Sequence, residues 1–177
     1  MAIDLSCKIA EPTNQKLKYI AIEWLQERGV SIEDIARLVY EIQKCYIPGL
    51  SLEDCFCSVD RVMDKREVQN TIFTGLSLDE LVEKGLIREP LLAMIRKDDG
   101  LYGIDEILAL SIVNVYGSIG LTNFGYLDKV KLGKIAELNT HQNGVINTFL
   151  DDIVAALAAA AAARLAHQTR DQLENLA

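Results

Sequence analysis

Strand signals are what this sequence lacks most clearly. No segment sustains two-residue alternation bounded by turn residues, and only three prolines punctuate its 177 residues. That argues against a sheet and leaves helices to build the fold. Basic charge is also scarce: 18 lysines and arginines stand against 26 aspartates and glutamates, a net charge of -8. Such a balance works against long-range attraction to nucleic acid or to an anionic membrane surface. Long apolar runs are missing too. Residues 107–121 are interrupted by Ser111, Asn114 and Ser118, and residues 153–163 are mostly alanine, short of the roughly 20 apolar residues of a membrane span. No basic-then-apolar segment with a cleavage site opens the chain, where Asp4 and Lys8 interrupt a weakly apolar context, so a cytoplasmic location is expected. The four cysteines, Cys7, Cys45, Cys55 and Cys57, make no CxxC pair and no zinc spacing. Reduced thiols, with Cys55 in the core, follow from that pattern. GxSxG, Walker-loop and HExxH signatures are absent.

What is present is helical periodicity. Leu17, Ile20, Ala21, Trp24 and Leu25 fall at helical spacing before Gly29. Ser31 with Asp34, and Ser51 with Asp54, read as capping boxes heading two further amphipathic helices, with Pro48 and Gly49 turning the chain between them. Residues 64–75 either extend the third helix or form a short one ending at Gly75. Ser77 with Glu80 opens the next, closing near Gly85, and Pro90 suits the first turn of another. Asp98, Asp99 and Gly100 then break the pattern. Residues 104–115 are apolar on nearly every side, as expected of a helix surrounded by others. A polar excursion over 126–147 has room for one short helix, and Thr148 with Asp151 marks the start of an alanine-rich helix whose small side chains suit a crowded centre. The expectation is a single all-α domain over 1–177. It has an N-terminal arm over 1–15, amphipathic helices over 16–97, an acidic half over 98–166 and an exposed tail over 167–177.

Carboxylates stand at the entrances of the two most apolar segments. Asp105 and Glu106 head one, Asp151 and Asp152 head the other, and Asp128 with Lys131 lies between. Burying carboxylates beside apolar surface is costly unless a cation, a proton or a hydrogen-bond network compensates. Hard divalent cations such as magnesium prefer carboxylate oxygens, and acidic residues from several helices around one cleft can hold them. Successive helical residues diverge by about 100°, so one member of each pair binds while the other orients water or anchors its helix. A metal there can polarise a phosphoryl oxygen and activate water, with Lys131 on the substrate phosphate. Helix capping competes with this reading, because Asp151 fits a capping box with Thr148. From spacing alone capping is favoured. Asp152, which the box leaves unexplained, is the more diagnostic residue. Lys129, Lys131 and Lys134 read on composition as a solvated face, His141 beside Asn143 and Gly144 as a loop residue, and His167 as part of the tail.

The same residues carry a family resemblance. Asp105-Glu106-Ile107, Leu127-Asp128-Lys129-Val130-Lys131, and Gly144 followed by Leu150-Asp151-Asp152-Ile153-Val154-Ala155 resemble the motifs of the phosphatidylglycerophosphatase A family. The whole chain is similar to its soluble YutG-like branch, which includes the low temperature requirement C proteins. The resemblance implies an all-helical fold with one buried central helix surrounded by others, for which residues 149–165 are the candidate. It also implies magnesium-dependent removal of the terminal phosphate from phosphatidylglycerophosphate. Asp105, Glu106, Asp128, Asp151 and Asp152 would be the catalytic and metal-binding residues, and Lys131 the phosphate-binding one. Three departures stand out: there is no glycine- and proline-rich N-terminal motif, Leu132 replaces a proline, and Gly125 stands where an arginine is usual. The expected partner is therefore a phospholipid or a water-soluble phosphate ester, met without a transmembrane segment, through transient membrane contact in the lipid case. Self-association into a homo-oligomer is a further expectation, and the alternative function is a noncatalytic metal- or ligand-binding regulator.

Overall fold

The computed structural model describes residues 13–140 and 144–174, with side chains through Asp171. Among the described residues all regular structure is helical. Thr13 accepts a hydrogen bond from the Lys16 amide and so caps α1 (Asn14–Glu27), which begins inside the segment expected to be an arm. Both capping boxes form. Ser31 and Asp34 open α2 (Ile32–Gln43), and Ser51 and Asp54 open α3 (Leu52–Val62), each with the reciprocal side-chain to backbone bonds in place. In each case the box sits just ahead of an amphipathic stripe, so local chemistry and burial agree on where the helix starts.

The region after α3 departs from expectation. A single helix, α4 (Arg66–Glu83), runs straight through Gly75 and Ser77. Gly75 does not end a helix; it lets two helices touch. A Cβ added there would collide with Ile153 Cδ1 and stand 3.1 Å from Phe149 Cβ. Gly75→Val is therefore expected to cost about 2 kcal/mol through overpacking, read as a lower urea midpoint; an unchanged midpoint would show that α4 can move aside.

After α5 (Leu91–Lys97) come α6 (Ile104–Val113), a 3-10 turn (Asn114–Tyr116), α7 (Gly117–Val130), α8 (Lys134–Leu138) and α9 (Leu150–Glu174). The centre of the fold is α9, which packs against α2, α3, α4, α6, α7 and α8. Every residue from 150 to 163 is buried. Alanine is the reason so many helices fit around it. With only a methyl group at Ala155, Ala156 and residues 158–163, backbones approach closely, and the Ser58 hydroxyl of α3 reaches the Ala161 carbonyl at 2.9 Å. The fold is thus all-α with a buried central helix surrounded by others. Beyond Leu165 the helix emerges, with His167 exposed on it.

Because α9 takes the centre, α6 cannot be enclosed as its sequence suggested. Ile104 and Ile107 are 52% and 61% exposed, since α6 presents one face to α9 and α4 and leaves an apolar stripe outside. By length and composition Ile104–Val130 is apolar enough to cross a membrane: an 18-residue stretch within it has mean hydropathy 1.5 and is 28% buried. It is not one straight rod. Gly117 sits at φ 70°, ψ −162°, conformational space that essentially only glycine adopts. The start of α6 and the end of α7 line the same cleft, so α7 turns back along α6. Cys55 is fully buried, whereas Cys45 and Cys57 are exposed free thiols. Residues 1–12, including Cys7, and His141 with Asn143 lie outside the described residues.

Candidate metal centre

The approach to α9 is held from four other helices. Thr148 Oγ1 donates to the Ile95 carbonyl of α5 at 2.8 Å, and Asn147 Nδ2 to the Leu138 carbonyl of α8 at 3.0 Å. Arg28, just past α1, donates to Asn147 Oδ1 at 3.0 Å and to the Ile146 carbonyl, and pairs with Glu83 of α4 at 2.8 Å. Glu83 in turn accepts from the Ile146 amide at 2.8 Å. The helix itself is capped from a distance: the fully buried Asp79 of α4 accepts the Phe149 and Leu150 amides, one on each carboxylate oxygen, at 3.2 and 3.1 Å. Burial pushes Asp79 up to about 8, against the pull of those amides and of Arg28. This replaces the expected capping box. Thr148 is turned toward α5 and Asp79 supplies the acceptors for the Phe149 and Leu150 amides, while Asp151 accepts the Asp152 amide on Oδ1 at 2.9 Å and turns Oδ2 to the cleft.

Asp151 and Asp152 instead face a cleft of about 130 Å³, which also gathers Asp105 and Glu106 from α6, Asp128 from α7 and Lys131 just beyond it. Asp98, Asp99 and Asn139 line the same space; in the sequence the Asp98-Asp99-Gly100 run marks only a break in periodicity. A clue lies in the backbone: Asp98 and Lys131 are the non-glycine residues with positive φ among those described, at 52° and 49°. Left-handed backbone at a residue with a side chain is strained and concentrates at functional sites.

Within the cleft the carboxylates fall into two groups. Lys131 Nζ donates to Asp128 Oδ1 at 2.8 Å, to Asp151 Oδ2 at 2.9 Å and to Asp152 Oδ1 at 3.4 Å. Asp105, Glu106 and Asp152 form the other group, with one oxygen from each lying within 4.8 Å of the others. Asp105 Oδ1 and Glu106 Oε2 are buried without a hydrogen-bond partner, the costly situation a bound cation relieves. An all-oxygen donor set suits a hard cation such as magnesium. Lys129 is exposed and Lys134 pairs with Glu137 at 2.7 Å, so of the three lysines Lys131 alone serves the cleft.

Electrostatics follow the burial. Desolvation, then the neighbouring Glu106, raises Asp105 above the ordinary carboxylate range. Desolvation, then the charge of Asp151, raises Asp152. Burial pushes Asp151 up to about 6, with Lys131 opposing it. Burial alone would lower Lys131, but Asp151, Asp128 and Asp152 more than reverse that and raise it. The cleft gathers more carboxyl groups than its one lysine can pair.

Fold and site together define an all-helical protein built around a carboxylate-lined, lysine-bearing cleft at the head of its central helix. The chain belongs to the phosphatidylglycerophosphatase A family, whose model matches residues 21–167. It is 56% identical over 159 residues to YpjQ of Bacillus subtilis, covering 90% of this chain and 89% of that protein. The crystal structure of YpjQ superposes with a TM-score of 0.87 at 55% identity, covering 91% of this chain and 99% of that one. The low temperature requirement C protein of Listeria monocytogenes superposes with a TM-score of 0.86 at 57% identity, covering 89% of this chain and 99% of that one.

Proposed function

We propose that the protein is a metal-dependent phosphatase that removes the terminal phosphate of phosphatidylglycerophosphate or a related phosphate ester. One observation carries this reading: three carboxylates, two of them with unpartnered buried oxygens, converge beside a lysine that faces the same cleft. Asp105, Glu106 and Asp152 would hold the cation. When bound, a magnesium ion supplies a Lewis acid for a phosphoryl oxygen and acidifies a coordinated water. Asp128 and Asp151 fix the Lys131 ammonium, which gives the cleft a positive charge for the equatorial phosphate oxygens. As water attacks phosphorus and the ester P–O bond breaks, a cleft carboxylate outside that trio would take the proton from water and the departing alcohol oxygen would regain one.

The rim of the cleft supports an amphiphilic substrate. Leu101, Ile104 and Val130 are 96%, 52% and 45% exposed, and each adjoins a cleft-lining residue, namely Gly100, Asp105 and Lys131. Apolar side chains beside a phosphate site suit an ester whose alcohol is apolar, presented by a membrane that the protein touches from the cytoplasmic side.

Phosphate release from phosphatidylglycerophosphate in vesicles and from soluble phosphate esters, with magnesium and with chelator, tests the proposal. Magnesium-dependent turnover lost in the Asp128→Asn, Asp152→Asn double variant is the expected result. Turnover no higher than that of the double variant would defeat it, and metal binding without turnover across the panel would favour a noncatalytic regulator.

A further inference from the structure

The division of the cleft bears on how many cations it takes. An ammonium has three donors, and Lys131 directs them at Asp128, Asp151 and Asp152. That half of the cleft already has its cation. The other half has none: Asp105, more than nine-tenths buried, leaves Oδ1 without a partner, and Glu106 leaves Oε2. Asp152 belongs to both halves, since it accepts from Lys131 and also lies in the close trio with Asp105 and Glu106. Magnesium binds oxygen at about 2.0–2.1 Å, so oxygens that all lie within 4.8 Å of one another can surround one ion. In two-metal phosphoryl-transfer sites a second cation sits about 3.5–4 Å from the first. Here the groups that would receive that second ion are occupied by the lysine, and Asp152 takes part in both groups.

We infer that the cleft takes a single divalent cation, on Asp105, Glu106 and Asp152, and that Lys131 stands in the place of a second one. The inference rests on the metal-dependent reading above and deepens it. A one-ion site with an internal ammonium clamps the substrate phosphate between a metal and a fixed organic cation. It also means that removing the lysine frees Asp128, Asp151 and one oxygen of Asp152 for another ion.

Titration of the full chain with Mn²⁺, followed by calorimetry and by electron paramagnetic resonance, tests this without any turnover measurement. The wild type is expected to bind one equivalent with the hyperfine pattern of an isolated ion. Lys131→Met is expected to take up a second equivalent with the spectrum of an exchange-coupled pair. Asp128→Asn should keep one equivalent, while Asp105→Asn should weaken it by about 100-fold or more; these two keep the test decisive should Lys131→Met fail to fold. Two equivalents or a coupled spectrum in the wild type would overturn the one-ion inference and leave the metal-dependent reading standing. One equivalent in Lys131→Met would overturn the role given to the lysine. No binding by the wild type would overturn both the inference and the reading beneath it.

Discussion

Asp152→Asn is expected to make the metal-free protein more stable at neutral pH while lowering magnesium-dependent phosphate release by about 10³-fold. The two effects have one cause. Asp152 is 3% exposed, and burial together with the charge of Asp151 makes its ionised form costly, so its affinity for a proton is raised. Asparagine keeps nearly the same shape and one oxygen for Lys131, but removes the buried charge. Relief of about 1 kcal/mol is the size of gain seen when a functional residue is made structurally compliant. Under the proposed function phosphate release would lose more, because Asp152 belongs both to the trio with Asp105 and Glu106 and to the group around Lys131. Thermal unfolding in chelator and phosphate release with magnesium measure the two sides. A variant less stable than the parent without metal, or one equally active with it, would contradict the account.

Lys131→Met is expected to destabilise the metal-free protein by about 3 kcal/mol at pH 8, the usual cost of removing one partner from a buried ion cluster. Asp151 and Asp152, 6% and 4% exposed in their side chains, would lose their cation. The loss should shrink toward pH 4, and the sign follows from proton counting. Asp151 is raised to about 6 and Asp79 to about 8 in the folded state, against about 3.9 for an unfolded aspartate. Between about pH 4 and pH 8 the folded chain therefore holds protons that the unfolded chain has released. Stability contributed by these groups is fully present below pH 4 and is lost as pH rises through the folded values. Without Lys131 the cleft carboxylates rise further, so the variant falls more steeply over the same window, and saturating magnesium should return part of the loss by binding the folded state. Urea unfolding at several pH values, with and without magnesium, checks this; a pH-independent difference between variant and parent would refute it.

Legibility in the sequence tracked the distance over which each interaction acts. Ser31 with Asp34 and Ser51 with Asp54 are bonded within three residues, so a local pattern sufficed. Local pattern left residues 64–75 open between an extension of the third helix and a short helix ending at Gly75, because the mid-helix use of Gly75 depends on Ile153 and Phe149, far along the chain. Residues 104–115 looked enclosed because composition reports apolarity without saying what covers it, and the exposed Ile107 shows that α6 is covered on one side. Thr148 and Asp151 matched a capping box, yet a carboxylate some 70 residues earlier took the role.

By itself the sequence determined an all-helical chain, since periodicity, caps and the scarcity of strand signals are local properties of the backbone. It also named most of the carboxylates and the lysine that line one cleft, because they stand in recognisable motifs. Only the tertiary structure decided which oxygens share a space. Asp79 accepts the Phe149 and Leu150 amides, Gly117 turns α7 back so that Asp128 lines the same cleft as Asp105, and Lys131 takes three carboxylates while leaving two buried oxygens without a partner. These are contacts between segments far apart in the chain, and their energies depend on burial that exists only once the helices have packed around α9.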